Sequence, residues 1–234
     1  MTFQTIERAQ HTAAKAAGAL YLLQMATGVF GFYAHGRLMA PGDAVQTAKN
    51  IAASETFFRI GTVSDVMTAV LVVTLAWALY VVLRPIDRNL ALLAAFFRVA
   101  ENAIAAAVIS NDFLALRLLS SAMYSRGFDT EELQVLARLF VGGQPAGLQI
   151  AFVFVGFGSA VFSVLWWKSR YIPRALAGLG IVASLLLALV TLIVIVLPDL
   201  GNTLGLSYMM PMGVYEVGLG LWLLIKGLRE PVVE

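Results

Sequence analysis

An all-α polytopic membrane bundle is the fold this sequence predicts: six transmembrane helices, with short interfacial helices in the first and third connections. Three observations predict it. Of the 234 residues, 60% are hydrophobic and only 13% are charged, against about 25% charged in an ordinary soluble domain. Mean hydropathy is +0.83. The apolar residues also gather into runs that, at about 1.5 Å rise per residue, can cross a hydrocarbon core of ~30 Å. A net charge of +2 is too small to argue for nucleic acid, so the expected surroundings are membrane lipids, with a small-molecule ligand as a candidate partner. Without cysteine there is no disulfide, thiolate nucleophile or Cys-based metal site, and two histidines argue against a His-rich one. No cofactor and no metal are expected.

The expected spans are about 14–36, 55–83, 89–112, 141–167, 172–197 and 206–226, within one domain covering 1–234. Residues 1–13 are polar and mixed, and read equally as a short interfacial helix or a frayed terminus. In the first span Tyr21, Gln24, Gly28, Gly31 and His35 form one stripe of polar and small residues, the kind that lets helices approach closely in lipid. Pro41-Gly42-Asp43 is a turn, and Asp43 with Gln46 reads as a capping box opening a helix near 44–53. The second span carries Arg59 near its start, then Thr62, Asp65 and Thr68 on one face. A tight basic connection, 84–88, leads to the third span. Residues 113–140 are a less hydrophobic connection in which Asp129 and Glu132 form a second capping box before an amphipathic helix. Gly142, Gly143, Pro145 and Gly147 make the start of the fourth span irregular, and Trp166 and Trp167 close it where an aromatic belt is expected. The fifth span is uniformly apolar. The sixth carries Glu216 near its middle, with Tyr208, Met212, Tyr215 and Trp222 on roughly the same face.

The chemistry centres on the third span, which holds Arg98, Glu101 and Asn102 in its middle. Charge inside a bilayer is costly, needs partners and marks functional sites by default. Counting rise from the expected helix ends puts Asp65 about 12 Å, Arg98 about 14 Å, Glu216 about 15 Å and Glu101 about 18 Å deep. The simplest arrangement is a single cluster of Arg59, Asp65, Arg98, Glu101, Asn102 and Glu216, with Tyr21, Gln24, Gln149 and Tyr215 as candidate pocket lining. Around Arg98 three carboxyls outnumber one cation, so at least one is expected to carry a proton, with Arg59 reaching inward to offset another. The bland alternative is an ion pair that fixes helix register. A carboxylate-rich metal site from Asp65, Glu101, Glu216 and His35 is disfavoured by Arg98 in its midst. His35, near the end of its helix, reads as an interfacial histidine.

Six spans place both termini on one side. Arg8, Lys15, Arg84, Arg88, Lys168, Arg170, Arg174, Lys226 and Arg229 fall on that side in short segments, so the expectation is a multi-pass protein of the cell membrane with both termini cytoplasmic. Arg84-x-Ile86-x-Arg88-x-Leu90-Ala91-x-Leu93 is echoed by Arg170-x-Ile172-x-Arg174-x-Leu176-Ala177-x-Leu179, which reads as a duplicated hairpin or as two convergent turns.

Several phrases together resemble one family: Phe58-Arg59-Ile60-Gly61 leading to Asp65, Leu83-Arg84-Pro85 with Arg88-Asn89-Leu90-Ala91, Ala95-Phe96-Phe97-Arg98, Tyr171-Ile172-Pro173-Arg174, and Glu216 with Leu221-Trp222-Leu223-Leu224-Ile225-Lys226-Gly227. The chain is similar over 14–227 to the prokaryotic integral membrane family catalogued as domain of unknown function 4386. The resemblance implies several spans and no established activity. The function expected from the residues is binding or translocation of a small solute or proton at the buried cluster. The alternatives are an intramembrane enzyme acting on a lipid-like substrate, which no serine, cysteine or histidine motif supports, and a structural or partner-binding protein.

Overall fold

The computed structural model describes residues 7–120 and 128–230. Among these the chain is helical, and the helices are α1 (Arg8–Leu38), α2 (Ala44–Ala53), α3 (Glu55–Leu83), α4 (Arg88–Ser120), α5 (Thr130–Gly142), α6 (Gln144–Ser169), α7 (Arg174–Val196), α8 (Pro198–Leu204) and α9 (Met210–Ile225). Six segments are long and apolar enough to cross a membrane, carried by α1, α3, α4, α6, α7 and α9. They pack in a closed order: α1 on α3, α3 on α4, α4 on α6, α6 on α7, α7 on α9, and α9 back on α1. The protein is an all-α polytopic membrane bundle.

Two kinds of surface explain that packing. Val182, Val196, Met210 and Ile225 are each at least 60% exposed. So much uncovered apolar area is ruinous in water and ordinary against lipid. The inward faces carry small residues instead. On α7 the buried positions include Ala177, Gly180, Ala183, Ser184, Ala188 and Thr191, while Leu185, Leu186 and Leu189 point out. Backbones therefore touch. A Cβ on Gly18 of α1 would meet Leu224 N and Gly220 O of α9 at 2.5 and 2.8 Å, and one on Gly156 of α6 would meet Ser184 O of α7 at 2.7 Å. Where the helices diverge, Leu75, Leu79, Phe162, Leu165, Trp166, Leu219 and Leu223 fill the core.

Several boundaries differ from the sequence expectation. Residues 8–13 belong to α1, because Gln10 is buried and its Nε2 donates to Val82 O at 3.0 Å. The third helix runs on to Ser120, because Ala115 and Leu116 bury against Leu38, Ile51, Phe58, Ala137 and Val141 from α1, α2, α3 and α5. Pro198 opens α8 rather than closing the fifth span, and α9 starts at Met210 after a 3-10 turn, Ser207–Met209. Trp166 lies in the core with no exposure, while Trp167 is exposed under the Arg174 guanidinium, 5.6 Å from the ring centre.

The caps are half as expected. Asp129 and Glu132 bond each other's backbone N–H reciprocally. Asp43 accepts from Gln46 N, but the Gln46 side chain turns to Asn50 instead of back to the cap. The echoed connections differ in backbone: Arg84 is right-handed helical and Arg170 is left-handed at φ 57. The repeated residues do not build the same turn.

Candidate functional site

Glycines on facing helices admit the buried polar side chains. Arg98 on α4 is 4% exposed, and its stem lies along Gly158 of α6, whose added Cβ would sit 3.6 Å from Arg98 Cδ. Its Nη1 lies 3.0 Å from Glu101 Oε2, one turn along the same helix. Glu216 on α9 is within electrostatic reach of Arg98, as are Tyr21 on α1 and Tyr215 on α9. The direct partner of Glu216 is Gln24 on α1, whose Nε2 donates to Oε2 at 3.4 Å. Tyr215 receives a 2.9 Å hydrogen bond from Ser163 of α6, in a space that a side chain on Gly180 of α7 would fill. Asn102 turns the other way and donates to Ala69 O of α3 at 2.9 Å.

This centre has unused hydrogen-bonding capacity. Among the described residues, Gln24 Oε1, Arg98 Nη1 and Glu101 Oε2 are buried with no hydrogen-bond partner; the last two are close as charges but not aligned for a hydrogen bond. Buried polar groups are nearly always satisfied, so three such atoms around one charged centre call for a water, ion or ligand.

A second polar centre lies nearer the α2 and α5 end. His35 of α1 stands between two aspartates, with Nε2 3.6 Å from Asp65 Oδ2 on α3 and Nδ1 3.6 Å from Asp112 Oδ2 on α4. Thr62 Oγ1 donates to Asp112 Oδ2 at 3.5 Å, and the imidazole lies 4.8 Å from the Phe58 ring, tilted 34°. Gln24 to His35 on α1 and Glu101 to Asp112 on α4 are both eleven-residue steps. Each is about 16 Å along its helix axis, so two helices independently give the same separation between centres. Between them, Ser64 Oγ donates to Thr27 O, and Thr68 Oγ1 donates to Thr27 Oγ1 at 2.7 Å.

The residues expected in one cluster thus divide. Arg98, Glu101 and Glu216 come together, with Tyr21, Gln24 and Tyr215 around them. Asp65 joins His35 and Asp112 instead. Arg59 does not turn inward; half-exposed, it pairs with Glu55 at 2.6 Å on the helix surface. Gln149 lines a separate cavity of about 500 Å³ with Phe32, Phe152, Tyr208 and Met209. Asn102 borders an apolar groove of about 440 Å³ between α3 and α4 with Val66, Val70, Ala106 and Phe113.

Depth counted from the helix ends expected in the sequence sets Asp65 level with Arg98, but the register of α3 against α4 does not. The tight connection before Arg88 fixes that register. An antiparallel pair joined there sets Asn102 level with Ala69, as the hydrogen bond shows. Arg98 then faces about residue 73 on α3, about 12 Å from the level of Asp65. The same count sets Asp65 level with about residue 106 of α4, and His35 spans the remaining distance to Asp112, about 9 Å further along.

Residues 16–227 match the family model described as Domain of unknown function (DUF4386). The chain belongs to the DUF4386 family. The match covers all six apolar spans in whole or in large part, and both polar centres lie inside it. For this DUF4386 protein the comparison with curated proteins finds no match, and neither does the comparison with solved structures.

Proposed function

We propose that this DUF4386 protein binds a small polar solute or a proton at the Arg98 centre as a step in moving it across the bilayer. The observation that carries this reading is the intrahelical ion pair. Arg98 and Glu101 both sit on α4, so their pairing at 3.0 Å does not by itself join two helices. Its position inside a ring of six helices, beside Glu216 and the unsatisfied Gln24 Oε1, supports reading it as a binding centre. The Arg and Lys distribution supports an orientation in the cell membrane with both termini cytoplasmic, which sets the His35 centre toward the outer face.

The test is a thermal-shift screen of purified protein against small carboxylic acids, amines, amino acids and sugars, with a parallel assay of proteoliposomes enclosing a pH-sensitive dye. Wild type should be stabilised by one chemical class, or should carry protons down an imposed potential. Glu216→Gln should lose that response. No stabilising class, together with liposomes as proton-tight as protein-free ones, would refute the reading.

A further inference from the structure

We propose that His35, Asp65 and Asp112 form a binding site for a divalent transition-metal cation. The site is separate from the Arg98 centre and does not rest on the solute reading.

The donor set comes first. One ring nitrogen of His35 and one oxygen from each aspartate all lie within 4.8 Å of one another, and the three side chains come from three different helices. Imidazole with carboxylates suits zinc, manganese or iron, and three protein ligands leave a position for solvent. Asp65, with its side chain 25% exposed, supplies the open side, while Asp112 is fully buried.

A second observation points to a ligand. His35 is 5% exposed, and among the described residues neither of its ring nitrogens has a hydrogen-bond partner. Both stand 3.6 Å from a carboxylate oxygen. That is too long for an N–H···O bond, which is found at about 2.7–3.2 Å. One ion takes one ring nitrogen, and on the Nε2 side the 3.6 Å to Asp65 is close to the spacing of two ligands on a tetrahedral ion, about 3.4 Å for bonds of about 2.1 Å. The three donor atoms, all within 4.8 Å of one another, need only small side-chain shifts to close on one ion.

The surrounding residues build the place. The position a Cβ would take on Gly31 is filled by the Asp65 carboxyl, and a Cβ on Gly61 would collide with His35 Nε2 at 2.8 Å. Phe58 holds the plane of the imidazole from one side. Arg98 does not reach this centre: its charge partners are Glu101, Glu216, Tyr21 and Tyr215. The objection to a metal among the carboxylates of the other centre does not apply here.

The test uses tag-free full-length protein in detergent, stripped with chelator, dialysed against zinc or cobalt, and analysed for bound metal. Wild type should hold one equivalent, and cobalt should give a visible absorption band. His35→Gln and Asp65→Asn should each weaken binding at least tenfold. His11→Ala, which changes the other histidine, should bind like wild type. Because wild type is measured on its own, a variant that fails to fold does not decide the matter. Less than a tenth of an equivalent on wild type overturns the proposal, as does metal lost with His11→Ala and kept with His35→Gln.

Discussion

Gln24 and Glu216, 192 residues apart in the chain, meet at 3.4 Å where α1 crosses α9. Gly18, two turns before Gln24, makes that meeting possible by letting the two backbones touch. The polar centre of this protein is thus held by a neutral amide and by close packing, while its ion pair stays within one helix.

Removing Arg98 should be costly. Arg98→Ala leaves Glu101 without its cation in a buried site, and the expected loss is about 3 kcal/mol or more of stability. Replacing both partners with apolar residues of similar size, Arg98→Met with Glu101→Leu, should recover most of that loss, because the pair need not be charged for the bundle to pack. Unfolding of the variants in detergent measures both. A double variant as unstable as Arg98→Ala would mean the ion pair itself supports the fold.

Gly18→Ala should destabilise by about 1–3 kcal/mol, because the new methyl group meets backbone atoms that cannot rotate away. Gly36→Ala, next to His35 on the same helix, has nothing within 4 Å of the added carbon. It should be neutral, or stabilising by up to about 1 kcal/mol through helix propensity. Thermal melts of the two variants side by side check the contrast.

Ser163 and Tyr215 should couple by about 1 kcal/mol in a double-mutant cycle of Ser163→Ala and Tyr215→Phe. Their 2.9 Å bond is buried and joins α6 to α9. A coupling near zero would show that each hydroxyl finds another partner once the first is gone.

Periodicity and charge carried the reading of the fold because a bilayer penalises irregular backbone so heavily. The six spans, the small-residue stripe from Tyr21 to His35 and the Asp129–Glu132 cap are all found in the structure. The continuation of α4 past Asp112 was hidden, since Ala115 and Leu116 are ordinary apolar residues and only α2 and α5 packing around them explains why the helix persists. The candidate site was legible as a list of residues but not as a grouping. Asp65 and Arg98 are both intramembrane charges, and nothing in their types says which partner each takes. That depended on register, which the 84–87 connection encodes through geometry. His35 looked peripheral by its place in its own helix, but α3 and α4 extend beyond it and bury it.

On the proposed function, the Arg98 centre holds a small polar ligand or exchanges a proton. Native mass spectrometry of protein released from lipid nanodiscs, paired with the dye-loaded proteoliposome assay, tests it most directly. Wild type should show a small non-lipid adduct or a proton flux that Glu216→Gln and Gln24→Leu both abolish while their melting profiles stay cooperative. Wild type free of adduct and flux, or a response unchanged in both variants, would contradict it.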